Sequence, residues 1–366
     1  MRTNEEALTV ATDRGLDGAK SSETMIPRKE PDPKRPSTSI FGQPFDLAAM
    51  VRRAPPPRND VFPGLAPRTV GILHGRGASG KSFLALHMML AVAAGEPLLG
   101  SKHWPVGGPG RVVYLALEDD AEEIWRRIRA IAQWAEFYGE PLSDGALDRI
   151  DIYSATRLDF PDFRFMGRGD YGKLGVWEEG WCSLEQLVIG ARLLIIEPLI
   201  RIHAMDENSN TDMDLLLGRF ERLARTSGAA ILVGHHESKS LGGSGHASAS
   251  RGADAIIANA RWAASLRVPT EAEVQHRGLD VARRDRYAIL SATKVNYAES
   301  SGDLWLVRET GGALALAGES ASRDTKNPVR LEEVRRRTSN RPQARGFRDL
   351  ALAREEGESH GGTPEE

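Results

Sequence analysis

The stretch that decides the fold is Gly75-Arg76-Gly77-Ala78-Ser79-Gly80-Lys81-Ser82, a complete G-x-x-x-x-G-K-[ST] octet. Before it, Thr69-Val70-Gly71-Ile72-Leu73-His74 reads as a short buried strand. After it, the apolar run from Phe83 to Leu90, closed by Gly95, reads as a helix. A strand, a glycine turn and a helix together make a phosphate site. Glycines let the backbone N–H groups close around a phosphate, and the helix N-terminus adds its positive dipole. All eight residues, Gly75, Arg76, Gly77, Ala78, Ser79, Gly80, Lys81 and Ser82, are therefore expected to bind nucleotide. Lys81 is expected to reach the β and γ phosphates, and Ser82 to hold Mg²⁺.

Working outward, apolar runs alternate with helical patterns. Gly110–Leu117, Leu193–Ile196 and Ala229–Gly234 read as buried strands, and Asp120–Tyr138 as a helix with Ile124, Ile128 and Ile131 on one face. Thr211 with Asp214 reads as a capping box opening a helix that stops at Gly228. Continuous rather than alternating apolar strands point to a parallel sheet covered on both faces. Farther on, Tyr287–Thr293, Leu304–Val307 and Ala313–Leu316, with a Gly311-Gly312 turn, read as an antiparallel extension. The expected fold is α/β, a P-loop NTPase core with a mostly parallel sheet and a C-terminal antiparallel extension, spanning 60–317. Residues 1–40, with Lys-Glu-Pro-Asp-Pro-Lys-Arg-Pro at 29–36, read as a disordered arm, 41–59 as a short helix and proline-rich connector, and 318–366 as a charged mobile tail.

Composition narrows the class. The 366 residues carry a formal net charge of −3, so no global attraction to nucleic acid exists and any such binding must be local. A single cysteine, Cys182, rules out an internal disulfide and fits a reducing cytoplasm. No apolar run is long enough to span a bilayer, and the expected location is cytoplasmic, away from membrane.

Two apolar strands end in acids. Glu118 follows Tyr114-Leu115-Ala116-Leu117 at the strand end where parallel sheets bind ligands, and is assigned as general base for the attacking water. Glu197 closes Ile195-Ile196 in the manner of a Walker B acid, with glutamate where aspartate is usual, and is assigned to the metal with Ser82. The third strand ends in His235-His236-Glu237. Either His235 or His236 is positioned to sense a γ-phosphate. Zinc is disfavoured because neighbours on an extended chain point in opposite directions. A long glycine- and serine-rich loop follows at 241–250, and Lys239 beside it is the candidate for holding DNA phosphates. A cation supplied across a subunit boundary stabilises phosphoryl transfer. Arg261 is the first choice for that finger, with Lys294 and Arg251 as the others.

With these pieces in order, the chain resembles the RepA-type hexameric replicative helicases of broad-host-range plasmids, within the RecA/DnaB-like P-loop class. The resemblance runs from about Phe45 to Leu316. It rests on the P-loop with Phe83-Leu84-Ala85-Leu86, on Val112–Asp119, on Arg201-Ile202-His203 followed by Glu207-Asn208, and on His235–Lys239. Ala249-Ser250-Arg251-Gly252, Asn259-Ala260-Arg261-Trp262 and Lys294-Val295-Asn296-Tyr297 complete it. It implies a RecA-like core, a homohexameric ring with ATP and Mg²⁺ at subunit boundaries, movement along single-stranded DNA, and a replication initiator or primase as partner. The family's site roles fall on Lys81, Glu118, Glu197, His235 or His236, and Arg261. Glu197 departs from the family's aspartate, and 150–190 carries no distinctive pattern. The competing expectations are a DNA-binding regulator that uses nucleotide as an assembly switch and an ATPase acting on protein partners.

Overall fold

The computed structural model describes residues 44–157, 163–237, 256–299, 301–317 and 336. The chain forms two units, 1–57 and 58–366. In the first, Asp46 caps a short helix α1 (Leu47–Val51) through its carboxylate and the Ala49 N–H. The arm expected at 1–40 and the tail expected at 318–366 lie outside the described residues, Arg336 excepted.

The second unit is built on one nine-stranded sheet. Its strands are β1 (Val70–Gly75), β2 (Val112–Ala116), β3 (Ile150–Ser154), β6 (Leu193–Glu197), β8 (Ala230–His236), β9 (Trp262–Arg267), β10 (Tyr287–Val295), β11 (Leu304–Arg308) and β12 (Leu314–Leu316). Their order is β12-β11-β10-β9-β1-β8-β6-β2-β3. From β3 to β9 all pairings are parallel, and from β9 outward through β12 they are antiparallel. A smaller sheet of β4 (Met166–Arg168), β5 (Leu174–Val176) and β7 (His203–Ala204) has the order β5-β4-β7.

Alternate residues of each central strand feed different cores, which is why the strands read as unbroken apolar runs. Val112, Tyr114, Leu193, Ile195 and Leu232 pack with α2 (Lys81–Ala94) and α3 (Ala121–Tyr138). Val113, Leu194, Ile196, Ile231 and Val233 pack with α5 (Glu178–Val188) and α6 (Asn210–Ser227). The fold is thus the expected α/β one, a mostly parallel sheet with helices on both faces and an antiparallel extension.

Several boundaries differ from the sequence reading. α6 opens two residues earlier than the Thr211–Asp214 pattern indicates, because Ser209 accepts from the Asp212 N–H while the Asp212 carboxylate is held by Arg168 at 2.6 Å. The segment 150–190 supplies β3, β4, β5 and α5. β3 is an edge strand with one fully buried residue, so it lacks the apolar run that marks its neighbours. The strand β9, Trp-Ala-Ala-Ser-Leu-Arg, carries little intrinsic strand preference, and its pairing with β1 and β10 decides it. Two short helices are additional, α4 (Asp144–Leu147) and α7 (Glu271–His276). α7 did have a legible signal: Thr270 and Glu273 form a reciprocal capping box.

Candidate active site

β1 delivers the chain to the P-loop at its C-terminal end. Gly75, at φ 154°, leaves no room for a side chain, since a Cβ there would lie 2.4 Å from the Leu266 carbonyl oxygen of β9. Gly80, at φ 94°, then turns the chain into α2. Lys81 is 3% exposed and folds back over the loop. Its ammonium donates to the Gly75 carbonyl at 2.7 Å, to the Arg76 carbonyl at 3.0 Å and to His236 Nδ1 at 3.1 Å. Burial pulls its pKa down, and the carboxylates of Glu197, Glu237 and Glu118 oppose that pull.

Because the ammonium donates to Nδ1, the His236 proton sits on Nε2, which faces the Glu118 carboxylate at 4.0 Å. Burial, and then Lys81, lower the His236 pKa. Glu118 itself is half-exposed just beyond β2, and Arg201 lies 3.6 Å from its other oxygen. Across the loop, Ser82 Oγ donates to Glu197 Oε1 at 2.9 Å and the Tyr114 hydroxyl donates to Oε2 at 2.6 Å. Glu197 is 6% exposed. Burial raises its pKa, while Tyr114, Ser82 and Lys81 hold it down. Tyr114 titrates well above its ordinary range because it is buried beside that carboxylate, so its hydroxyl stays a donor.

The structure therefore brings together Lys81, Ser82, Glu197, Glu118 and His236. It does not bring His235 among them. β8 alternates, and His235 enters the opposite face, 3.8 Å from Glu207, which is also 3.6 Å from His203. His203 Nε2, Glu207 Oε1 and His235 Nε2 are buried without a hydrogen-bond partner among the described residues. Among the described residues, no group of three or more His, Cys, Asp or Glu is spaced to hold a metal ion.

Arg261 is exposed and precedes β9, beside the start of β1: Gly71 pairs with Trp262, whereas His74 pairs with Ser265. A strand length of roughly 13 Å separates it from its own P-loop edge. Lys294 donates to the carbonyls of Ala258 and Ile257. Lys239 and Arg251 lie outside the described residues. Sequence reasoning missed two neighbours of the loop. One is Tyr114, hidden as an ordinary aromatic in an apolar strand. The other is Arg308 of β11, whose guanidinium donates to the Ser79 carbonyl beside Gly80. No local pattern marks Arg308, because 229 residues separate it from Ser79.

The oxygen donors fit a divalent ion of the Mg²⁺ type, which takes one or two carboxylates plus substrate phosphates and water. Ser82 and Glu197 would hold it.

Residues 38–242 match the AAA_25 family, described as AAA domain, over more than half of the 366 residues. The chain belongs to this AAA domain family. Solved structures resemble this AAA domain at low identity. A DnaB-like replicative helicase, described with its interactions with primase, matches at 13% identity and TM-score 0.47, over 72% of this chain and 64% of its own. The RadB recombinase matches at 14% and TM-score 0.38, over 68% and 89%. A KaiC-like protein of Pyrococcus horikoshii OT3 matches at 14% and TM-score 0.41, over 72% and 99%. The chain thus spans under two thirds of the helicase. Likeness at this level concerns the fold alone.

Proposed function

We propose that this AAA domain protein hydrolyses ATP with Mg²⁺ and couples the energy to movement along single-stranded DNA, as a homohexamer serving replication of a plasmid, phage or mobile element. The observation that carries the ATPase part is the convergence of Lys81, Ser82, Glu197, Glu118 and His236 on one sheet edge. Lys81 would exchange its two loop carbonyls for β and γ phosphate oxygens, with little loss because those carbonyls already hold the ammonium in place. Glu118, half-exposed and outside the apolar core, takes a proton from the attacking water. His236 joins Lys81 to Glu118 and so reports whether the phosphate pocket is filled. Bound Mg²⁺ would supply charge neutralisation on the transferring phosphate.

The DNA part rests on the sequence resemblance to plasmid helicases and on the glycine- and serine-rich stretch 241–250, which follows His236 in the sequence. A near-neutral net charge of −3 favours a second reading, an ATPase directed at a protein partner.

Steady-state ATPase with and without single-stranded DNA separates the two, with Lys81→Ala as the blank. The motor reading expects severalfold stimulation by DNA and turnover at background in Lys81→Ala. Turnover indifferent to DNA would give the protein-directed reading the field, and turnover that survives Lys81→Ala would remove the P-loop from the mechanism.

A further inference from the structure

Glutamate at position 197 is one methylene longer than the aspartate usual at such a strand end, and two neighbours make room for it and hold it. Gly234, on the adjacent strand β8, leaves the space. A Cβ there would lie 2.9 Å from Glu197 Cγ and 3.4 Å from its Cβ, so any larger residue would push the acid aside. Tyr114, on the other adjacent strand β2, takes the oxygen that does not face Ser82. The strand order places β6 between β8 and β2, so both contacts come from direct neighbours in the sheet. The Tyr114 ring is fully buried among the core side chains under α2, which leaves its hydroxyl no partner in water.

We infer that Tyr114 is a positioning residue for the metal acid: together with the space at Gly234, it aims Glu197 Oε1 at Ser82 and so restores the reach of a shorter aspartate. This rests on the proposed Mg²⁺-ATP reading. A structural alternative is that Tyr114 merely satisfies its own hydroxyl. In that case its removal changes stability and leaves metal dependence alone.

The test titrates Mg²⁺ against binding of a fluorescent, non-hydrolysable ATP analogue by the full chain, with an EDTA baseline and a melting curve for each variant. Tyr114→Phe is expected to raise the half-saturating Mg²⁺ concentration about tenfold while leaving affinity in EDTA within about twofold, as loss of one hydrogen bond to a charged group would do. Glu197→Asp is expected to raise it as well. The double variant Tyr114→Phe/Glu197→Asp should be no worse than the poorer single variant, because the tyrosine acts only through the longer acid.

A half-saturation point in Tyr114→Phe within about twofold of wild type, or a double variant equal to the product of the singles, would overturn the inference. If Tyr114→Phe does not fold, Gly234→Ala applies the same question from the opposite side. It should raise the Mg²⁺ requirement about tenfold, and an unchanged requirement is equally fatal. Wild type that binds no analogue, or binds it without Mg²⁺ dependence, overturns the ATPase reading and this inference with it, before any variant is compared.

Discussion

At Gly75 a single hydrogen in place of a side chain lets the P-loop form. The backbone is at φ 154° and the Leu266 carbonyl sits where a Cβ would go. Gly75→Ala must move β9 or the loop, at a cost of about 2 kcal/mol or more for strained backbone. The expected result is a fall in Tm of roughly 4–8 °C for a unit of this size, with nucleotide binding lost alongside it. Differential scanning calorimetry with and without ATP checks both, and an unshifted Tm would show that β9 yields freely. At the same scale the two histidines at 235 and 236 separate cleanly. One residue along an extended strand reverses direction, so one meets Lys81 and the other meets Glu207.

Between elements, the hairpin of β11 and β12 lies on the P-loop helix. Arg308 reaches the Ser79 carbonyl, Gly312 sits so close to Phe83 that a Cβ would collide with the ring, and the Leu314 N–H donates to His87 Nε2 at 3.0 Å. The last contact requires neutral histidine. His87 is buried in α2, and burial lowers its pKa to about 3. Unfolded, it titrates near 6.5. Below that pH the unfolded chain takes up a proton that the folded chain refuses, so this contribution to stability is full above about pH 6.5 and is lost progressively as pH falls toward 3. Between pH 7 and pH 5 the loss is about 2 kcal/mol. Urea titrations at the two pH values should show that loss in wild type and its absence in His87→Gln. Equal pH slopes in the two proteins would mean that His87 is protonated in the folded state.

For the whole molecule, Arg261 and the P-loop of one chain lie at opposite ends of neighbouring strands. An arginine so placed serves a neighbouring subunit or serves no phosphate at all. If it acts across a boundary, Arg261→Ala and Glu118→Gln proteins, each inactive alone, should recover part of the ATPase rate when mixed, because hybrid boundaries carry one intact set. No recovery at any mixing ratio would move the finger to Lys294 or Arg251. Lys294 already donates to the Ala258 and Ile257 carbonyls within its own chain and would have to leave them.

How much was legible follows from what is local. The P-loop, its flanking strand and helix, the apolar central strands and the acids at their ends are determined by the sequence alone. Each is a short-range pattern whose physics, glycine freedom, helix dipole and two-sided burial, is complete within about twenty residues. Tertiary structure decided the rest. β9 is a strand because β1 and β10 flank it, β3 because β2 offers an edge, and His236 rather than His235 meets Lys81 because of the register between β1 and β8. Tyr114 and Gly234 bear on Glu197 only because β2 and β8 lie on either side of β6. Arg308 reaches Ser79 only because three antiparallel strands carry it there. Those contacts join residues tens to hundreds of positions apart, and no periodicity in the chain encodes a distance of that kind.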